Sequence, residues 1–420
     1  MTVSTGLVMA TAAAAKTLYF PEVSRQWNDW VQVINVGREP TRVTAVAHHH
    51  ATGQPVWSDE KHINSFESWI PNLESIKDNT WVQFNAEQPI VAERHMHKDS
   101  NIIDLIGAAE EYETIGTRLF FPEVASGAHD WFRFLNIGEH DAMINMVMRN
   151  VKGHTIWQHQ HTIKPKTCWD VDEKVMRQAN GTLEVISTQP ICGERHMHYQ
   201  GGKTTVGQYG QVITDEARTL YFPEVGPVWQ DWVAIVNLST SESANVKLIA
   251  RQDNSGQTIW TKEKQVAPFE RWSPPMDEVK VKSSVEVTSD QPIAAERHMH
   301  NGPSLIDLPG ASEGRGQVGR RLFFPEVHAG DYDWFRILNI SEHDAMVSIV
   351  VRNRKGEVVT QFQGQIKPYH CWDFDDGRLK DVRGTVEAVS TQSIIGERHM
   401  HYKNGHKGAV VGAYGVVLGE

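Results

Sequence analysis

The sequence predicts an all-β protein made of four tandem sandwich modules. The string Glu-Arg-His-Met-His occurs four times, at intervals of about 101 residues, beginning at Glu93, Glu194, Glu296 and Glu397. The strings Phe-Pro-Glu-Val and Asp-Trp precede every copy, in the same order and nearly the same register. A periodic self-similarity of this kind identifies a repeat architecture before any local assignment is made.

Within a module, the pattern predicts about seven short strands. Apolar and polar residues alternate over short stretches, and turn residues such as Thr52-Gly53 separate them, as is typical of strands. No 3.6-residue period persists, so helix is expected to be minor. The strands expected in the first module are 18–23, 30–36, 43–49, 56–63, 66–70, 81–85 and 90–97. This number and spacing of strands is the sequence expectation for an immunoglobulin-like sandwich.

The modules alternate between two types, A-B-A-B. We place them at residues 1–107 (A), 108–210 (B), 211–310 (A) and 311–420 (B). The B modules share Glu-His-Asp-Ala-Met and Cys-Trp-Asp, whereas the A modules carry a short Ile-Asp-Leu run after the histidine motif. Duplication of a two-module unit explains this pattern, and it predicts a linear array or a pseudo-two-fold body with two kinds of junction. The segment 405–418 matches the segment after the second motif, so it is expected to pack back as a strand.

Composition excludes several classes of partner and structure. The 420 residues contain 40% hydrophobic and 22% charged residues and carry a net charge of −11, which fits ordinary globular domains and not a nucleic-acid surface. The three cysteines form no disulfide framework. No stretch reaches the length of a transmembrane helix. The apolar run 6–15 lacks a preceding Lys or Arg, so it is a poor signal peptide.

The order of motifs resembles a known group of repeats. Tyr-Phe-Pro-Glu, a tryptophan strand ending in Asn, a glycine turn and Ser-x-Gln-Pro-Ile-x-Ala-Glu-Arg-x-Met resemble the immunoglobulin-like tandem repeats of bacterial secreted and cell-surface proteins. The resemblance covers nearly the whole chain, once per module, and it implies a sandwich fold with a surface or assembly role and no catalytic residues. The closing strand of those repeats reads roughly Pro-Ile-Val-Ala-Glu-Arg-x-Met-Tyr, whereas here its variable position and its aromatic are both histidine. For location, the resemblance implies secretion or the cell surface, while the poor signal peptide favours the cytoplasm.

The histidine motif is the main candidate site. Because alternate residues of a strand face the same side, Glu93, His95 and His97 should share one face, with Arg94 and Met96 on the other. Two histidines and a carboxylate suit Fe, Cu or Zn. The candidate ligands are Glu93, His95, His97, Glu194, His196, His198, Glu296, His298, His300, Glu397, His399 and His401. The competing interpretation is structural: an ion pair or buried hydrogen bonds, copied four times by duplication.

Other recurring residues are expected to be structural. The Phe-Pro-Glu glutamates could complete the motif, but we favour buried hydrogen-bond acceptors that hold the module junctions. These glutamates are Glu22, Glu123, Glu224 and Glu326. The tryptophans of Asp-Trp are expected in the sandwich core, at Trp30, Trp131, Trp232 and Trp334. Cys168 and Cys371 are expected to be half-buried.

These observations favour a binding or assembly role, with self-association or contacts to other protein chains. No nucleophile elbow, P-loop or dinucleotide fingerprint is present, and an enzyme seldom carries four nearly equal active sites in one array. Two alternatives stay open. One is a metal-dependent enzyme that uses Glu-x-His-x-His as ligands. The other is a carbohydrate- or surface-binding module with exposed tryptophans.

Overall fold

The computed structural model describes residues 15–23, 27–99, 101–124, 128–172, 180–199, 203–213, 217–302, 304–327, 332–379, 382–402 and 408–419. Nearly all of its regular structure is strand, which confirms the all-β prediction. No helix in these ranges is long and apolar enough to cross a membrane. The apolar run before residue 15 lies outside the described residues.

The two A modules have the same strand order. The first module contains β1 (Thr17–Val23), β2 (Asn28–Asn35), β3 (Thr41–His49), β4 (Pro55–Ile63), β5 (Ser68–Trp69), β6 (Thr80–Ala86), β7 (Ile90–Lys98) and β8 (Asn101–Ile106). Its strands form two antiparallel sheets, β1-β6-β3-β4 and β5-β2-β7-β8.

The third module repeats this arrangement, with sheets β17-β22-β19-β20 and β21-β18-β23-β24. Its strands are β17 (Thr219–Val225), β18 (Gln230–Asn237), β19 (Ala244–Gln252), β20 (Thr258–Val266), β21 (Arg271–Trp272), β22 (Ser283–Ser289), β23 (Ile293–Asn301) and β24 (Ser304–Pro309).

The B modules differ by one long strand that belongs to both sheets. The second module contains β9 (Ile115–Val124), β10 (Ala128–Asn136), β11 (Ala142–Arg149), β12 (Thr155–Ile163), β13 (Cys168–Asp172), β14 (Gly181–Tyr199), β15 (Thr204–Tyr209) and β16 (Gln211–Val212). The 19-residue β14 pairs with β11 in its first half, with β10 and β15 in its second half, and with β9 in parts of both halves.

The fourth module repeats the second, with β30 as its long strand. It contains β25 (Val318–Val327), β26 (Tyr332–Asn339), β27 (Ala345–Asn353), β28 (Val358–Ile366), β29 (Cys371–Asp375), β30 (Gly384–Tyr402), β31 (Ala409–Tyr414) and β32 (Val416–Val417). The C-terminal segment therefore packs back as strands from residue 409 onward, as expected, while residues 405–407 lie outside the described residues. Within the described ranges, the short helices are Leu73–Ser75, Glu110–Tyr112, Met276–Glu278 and Asp376–Leu379.

Each module encloses an apolar core between its two sheets, and the core of the first module also includes Phe323, Val416 and Leu418 of the fourth. In the first module, Phe20, Val31, Val33 and Phe84 are fully buried there. The prediction that the Asp-Trp tryptophans belong to these cores is wrong. All four are half-buried, because they lie on the strand face opposite the apolar residues that fill the core. Cys168 and Cys371 are half-buried, as expected, and neither is in a disulfide.

The four modules close into a ring around four central strands, β8, β15, β24 and β31. Each of these strands lies against two others, with β8 and β24 both contacting β15 and β31. The first and fourth modules are therefore neighbours, and the chain is a closed body instead of a linear array.

Two glycines allow the central strands to approach closely. A Cβ atom at Gly207 would lie 2.3 Å from Ile103 Cγ2, and one at Gly412 would lie 2.5 Å from Ile306 Cγ2. Both distances are shorter than any normal carbon contact. Glycine at these two positions is thus a requirement of packing and not of backbone conformation.

Candidate metal centres at the module junctions

Strand pairing confirms the predicted faces of the histidine motif. On β7, His95 is opposite Trp30 of β2, and Glu93 is opposite Gln32. Arg94 is opposite Val31, which belongs to the core face. Neighbouring Glu and Arg residues of one motif therefore point to opposite faces of the sheet and must find their partners elsewhere.

Each motif arginine pairs with the motif glutamate of the next module. The pairs are Arg94–Glu194 at 2.5 Å, Arg195–Glu296 at 3.1 Å, Arg297–Glu397 at 2.5 Å, and Arg398–Glu93. All eight side chains are at most 1% exposed. The last pair joins the fourth module to the first, so the ion pairs form a closed cycle that follows the ring of modules.

Burial and charge oppose each other in these pairs. Burial disfavours the charged form of each arginine, but the facing glutamates raise the arginine pKa values. Burial likewise acts to raise the pKa of Glu194, but Arg94 and His196 outweigh it and hold that pKa at about 2. For Glu93 the balance is reversed, because burial outweighs Arg398 and raises its pKa.

The junction between the fourth and first modules gathers five polar side chains. Asp104 Oδ1 lies 3.1 Å from His95 Nδ1 and 2.9 Å from His97 Nε2. The Tyr402 hydroxyl donates to Asp104 Oδ2 at 2.9 Å. On its far side, His95 Nε2 lies 3.1 Å from Glu326 Oε2, a Phe-Pro-Glu glutamate. The first module thus supplies two histidines and an aspartate, and the fourth supplies a glutamate and a tyrosine.

The junction between the second and third modules repeats this arrangement. Asp307 lies 3.1 Å from His298 Nδ1 and 2.8 Å from His300 Nε2. The Tyr199 hydroxyl donates to Asp307 Oδ2 at 3.1 Å, and Glu123 Oε2 lies 3.5 Å from His298 Nε2. We call these two sites the A-type junctions.

A tryptophan covers the first histidine of each A-type junction. Trp30 stacks on His95 with ring centroids 4.6 Å apart and planes inclined by 3°, and Trp232 stacks on His298 at 4.6 Å and 5°. The indole nitrogen of Trp30 donates to Glu326 at 3.3 Å, and that of Trp232 donates to Glu123 at 3.0 Å. These contacts explain why the tryptophans lie at the junctions and not in the cores.

Charge at the first A-type junction depends on His95. Burial lowers the pKa of His95, but Asp104 and Glu326 outweigh burial and raise it well above its ordinary value. Burial acts to raise the pKa of Asp104, yet His95 and His97 hold it far below its usual range. Without a metal ion, the two carboxylates therefore favour the protonated form of His95.

The other two junctions, which we call B-type, hold one histidine each. His196 Nε2 lies 2.7 Å from Glu194 Oε1 and 3.7 Å from Glu22 Oε2, which belongs to the first module. The equivalent His399 lies 2.8 Å from Glu397 and 3.6 Å from Glu224. All four Phe-Pro-Glu glutamates therefore hold module junctions, each of them facing the motif histidine of the next module.

The B modules lack the aspartate. Register places Asp104 opposite His95 and Gly207 opposite His196, so glycine replaces the carboxylate. The second histidine of the motif then has a different partner, with His198 Nδ1 lying 3.0 Å from Thr205 Oγ1. Burial, together with neighbouring histidines, lowers the pKa of His198 to about 4.

The predicted ligand sets are thus only partly brought together. Each A-type junction unites the two motif histidines, and each B-type junction unites the motif glutamate with the first histidine. Glu93 Oε1 lies 4.0 Å from His95 Nε2 and is paired with Arg398. Sequence reasoning missed Asp104 and Asp307 as site residues. Their signal was the Ile-Asp-Leu run, which occurs only in the A modules.

Comparisons with known proteins provide no functional assignment. No family model and no curated protein matches the chain. Among solved structures, the chain is similar to an α-L-rhamnosidase from Streptomyces avermitilis, with 10% identity over 87% of this chain and 54% of that chain and a TM-score of 0.16. It is also similar to a glycoside hydrolase family 32 structure from Bifidobacterium adolescentis, with 8% identity over 97% and 96% of the two chains and a TM-score of 0.16.

The chain spans about half the length of the rhamnosidase. TM-scores this low support no argument about function. The resemblance to bacterial immunoglobulin-like repeats stays a prediction.

Proposed function

We propose that this chain is a binding and assembly protein whose A-type junctions each hold one divalent transition-metal ion. The observation that carries the proposal is the convergence of His95, His97 and Asp104, whose ligand atoms lie within 4.8 Å of one another, together with its repetition in the third module. Two imidazoles and a carboxylate suit Zn, Fe or Cu.

The surrounding side chains match the outer shell that metal sites use. A ligating histidine commonly donates its other ring N–H to a carboxylate, and a ligating carboxylate is itself hydrogen-bonded. Glu326 faces the far nitrogen of His95, and Tyr402 holds the second oxygen of Asp104. These contacts fix the orientation of the ligands before an ion arrives.

Charge balance gives a second argument. Asp104 and Glu326 are buried carboxylates, and a buried charge is costly unless it is compensated. A proton on His95 supplies one positive charge in the metal-free protein. A divalent cation supplies two positive charges and leaves the imidazole neutral. The metal ion and the proton therefore compete for the site, and metal affinity rises with pH.

Burial of the ligands favours a structural centre over a catalytic one. His95, His97 and Asp104 are 0%, 3% and 7% exposed, so the site is closed to solvent, as structural metal sites are, although three protein ligands is the number found at catalytic zinc sites. The ligands come from the first module and their supporting residues from the fourth. An ion at this position stabilises the contact that closes the ring.

Association with other chains is also part of the proposal. The strands β4, β12, β20 and β28 each form the edge of a sheet, and an edge strand presents unpaired backbone groups to a partner. Each of these strands also exposes an aliphatic side chain at its second position, namely Val56, Ile156, Ile259 and Val359. The ring thus carries four similar outer edges.

Metal content tests the proposal directly. The untagged protein, after reconstitution with Zn, Fe or Cu, is analysed by inductively coupled plasma mass spectrometry, and we expect two ions per chain. A variant that combines His97→Ala with His300→Ala should lose both. The matched control combines His198→Ala with His401→Ala, which removes the same motif positions from the B modules, and it should keep both ions.

Circular dichroism establishes that both variants fold. Absence of metal in the parent after all three reconstitutions would leave the A-type junctions as hydrogen-bond networks. Equal metal loss in the two variants would show that binding does not depend on the aspartates.

A further inference from the structure

A separate cavity lies at the centre of the ring. It has a volume of about 120 Å³ and is lined by the segments 104–107, 207–211, 307–309 and 412–416, so that all four central strands border it. Leu105, Ile106 and Leu308 make much of its wall apolar. Asp104 and Asp307 also border it, but the histidines and tyrosines of the junctions engage their carboxylates.

One buried arginine points to a ligand for this cavity. Arg315 lines the cavity and is 5% exposed. Its Nη1 donates to the backbone oxygen of Gly310 at 2.6 Å, and its Nε has no hydrogen-bond partner. In the part of the chain that the structure describes, no carboxylate lies within ion-pair distance of its guanidinium.

The lack of a facing carboxylate distinguishes Arg315 from the motif arginines. Each motif arginine faces a carboxylate that raises its pKa, as Glu194 does for Arg94. Burial lowers the pKa of Arg315 to about 10, which the more distant Glu113 only partly opposes. A buried cation without a counter-ion is costly, so an anion beside Arg315 supplies the missing compensation.

The internal repeat does not duplicate this arginine. In the alignment of the two A–B halves of the chain, Asp104 and Gly107 correspond to Asp307 and Gly310. The same offset makes Tyr112 the residue equivalent to Arg315. Among the described residues that line the cavity, Arg315 is thus the one arginine. Three other buried residues that line the cavity carry polar side-chain atoms without a hydrogen-bond partner, namely Gln208, Tyr209 and Tyr414.

We propose that the central cavity binds a small organic monocarboxylate, with its carboxylate on Arg315 and its apolar body against the central strands. The cavity is slightly smaller than the apolar cavity of about 150 Å³ that accommodates benzene. A planar carboxylate matches the fork of a guanidinium. With one arginine and with Glu113 nearby, the site disfavours a doubly charged phosphate.

Calorimetric titration of the full chain tests this site. The probes are propionate, butyrate and inorganic phosphate at constant ionic strength, in metal-free and in metal-loaded protein. We expect the two monocarboxylates to bind and to raise the melting temperature, and phosphate to bind more weakly. Arg315→Met should weaken carboxylate binding roughly tenfold or more, since hydrogen bonds to charged groups are the strong ones.

The matched control is Arg320→Met, five residues away and exposed, which should bind like the parent. If Arg315→Met does not fold, Arg315→Lys replaces it, because it keeps the charge and loses the planar fork. Three outcomes overturn the proposal: no binding of either monocarboxylate at millimolar concentration, phosphate binding as strong as carboxylate binding, or unchanged binding in the folded Arg315 variants. None of these outcomes alters the metal count, so failure here is distinct from failure of the metal proposal.

Discussion

Ring closure rests on a contact that one substitution removes. Arg398→Met deletes the guanidinium that pairs with Glu93 and donates to the backbone oxygen of Glu326. Both side chains of the pair are at most 1% exposed, so the change leaves a carboxylate buried without its cation. Breaking such a pair from one side costs about 3–5 kcal/mol. We expect the free energy of unfolding to fall by that amount.

The assay is urea denaturation followed by tryptophan fluorescence, and two comparisons make it decisive. Arg94→Met breaks the equivalent pair between the first and second modules and should cost about as much. Adding Glu93→Gln to Arg398→Met should recover part of the loss, because a neutral amide is cheaper to bury than an unpaired carboxylate. A change in stability of less than about 0.5 kcal/mol is typical of surface substitutions. If Arg398→Met causes only a change of that size while Arg94→Met destabilises the protein several times more, the first and fourth modules are not joined in solution.

Two further predictions address the central strands and the pH dependence of stability. Gly207→Ala forces a Cβ atom to within 2.3 Å of Ile103 Cγ2 and should lower the free energy of unfolding by about 1–3 kcal/mol in urea denaturation. The control is Gly377→Ala, whose Cβ would have its nearest contact at 3.2 Å, and it should be nearly neutral. An equal loss of stability in both variants would contradict the packing argument. Burial raises the pKa of Asp231 to about 6, so its ionised form destabilises the native protein increasingly as pH rises from about 4 to above 6. Asp231→Asn should therefore add about 1–3 kcal/mol of stability at pH 8 and almost none near pH 4, and a gain of the same size at both pH values would show that the effect is not electrostatic.

Strand periodicity predicted the local features of the site. Alternation along β7 placed Glu93, His95 and His97 on one face, and pairing with β2 confirms this. The repeat also predicted the return of the C-terminal segment as a strand and the two kinds of junction. These features depend on residues that are close in sequence or on comparison of the repeats with one another. A single sequence contains both kinds of information.

The features that were missed depend on distant contacts. The partner of Arg94 lies 100 residues away, and that of Arg398 lies 305 residues away. Nothing in a strand pattern specifies which module packs on which. The tryptophans were wrongly assigned to the cores for the same reason. A strand face that contacts another module has the same residue periodicity as a face that contacts the core of its own module. Asp104 belongs to a strand that the sequence pattern left unassigned.

The cycle of arginine–glutamate pairs also has a consequence for self-assembly. Each contact is head-to-tail, with different surfaces on its two sides, and contacts of this type produce either closed rings or open filaments. Here the fourth contact, Arg398–Glu93, occupies the glutamate surface of the first module and the arginine surface of the fourth. Neither of these two surfaces is then free to bind another molecule. The rotation from one module to the next thus limits growth through these arginine–glutamate contacts to a single chain. A half-length ancestor with the same surfaces would instead have completed its ring as a symmetric dimer.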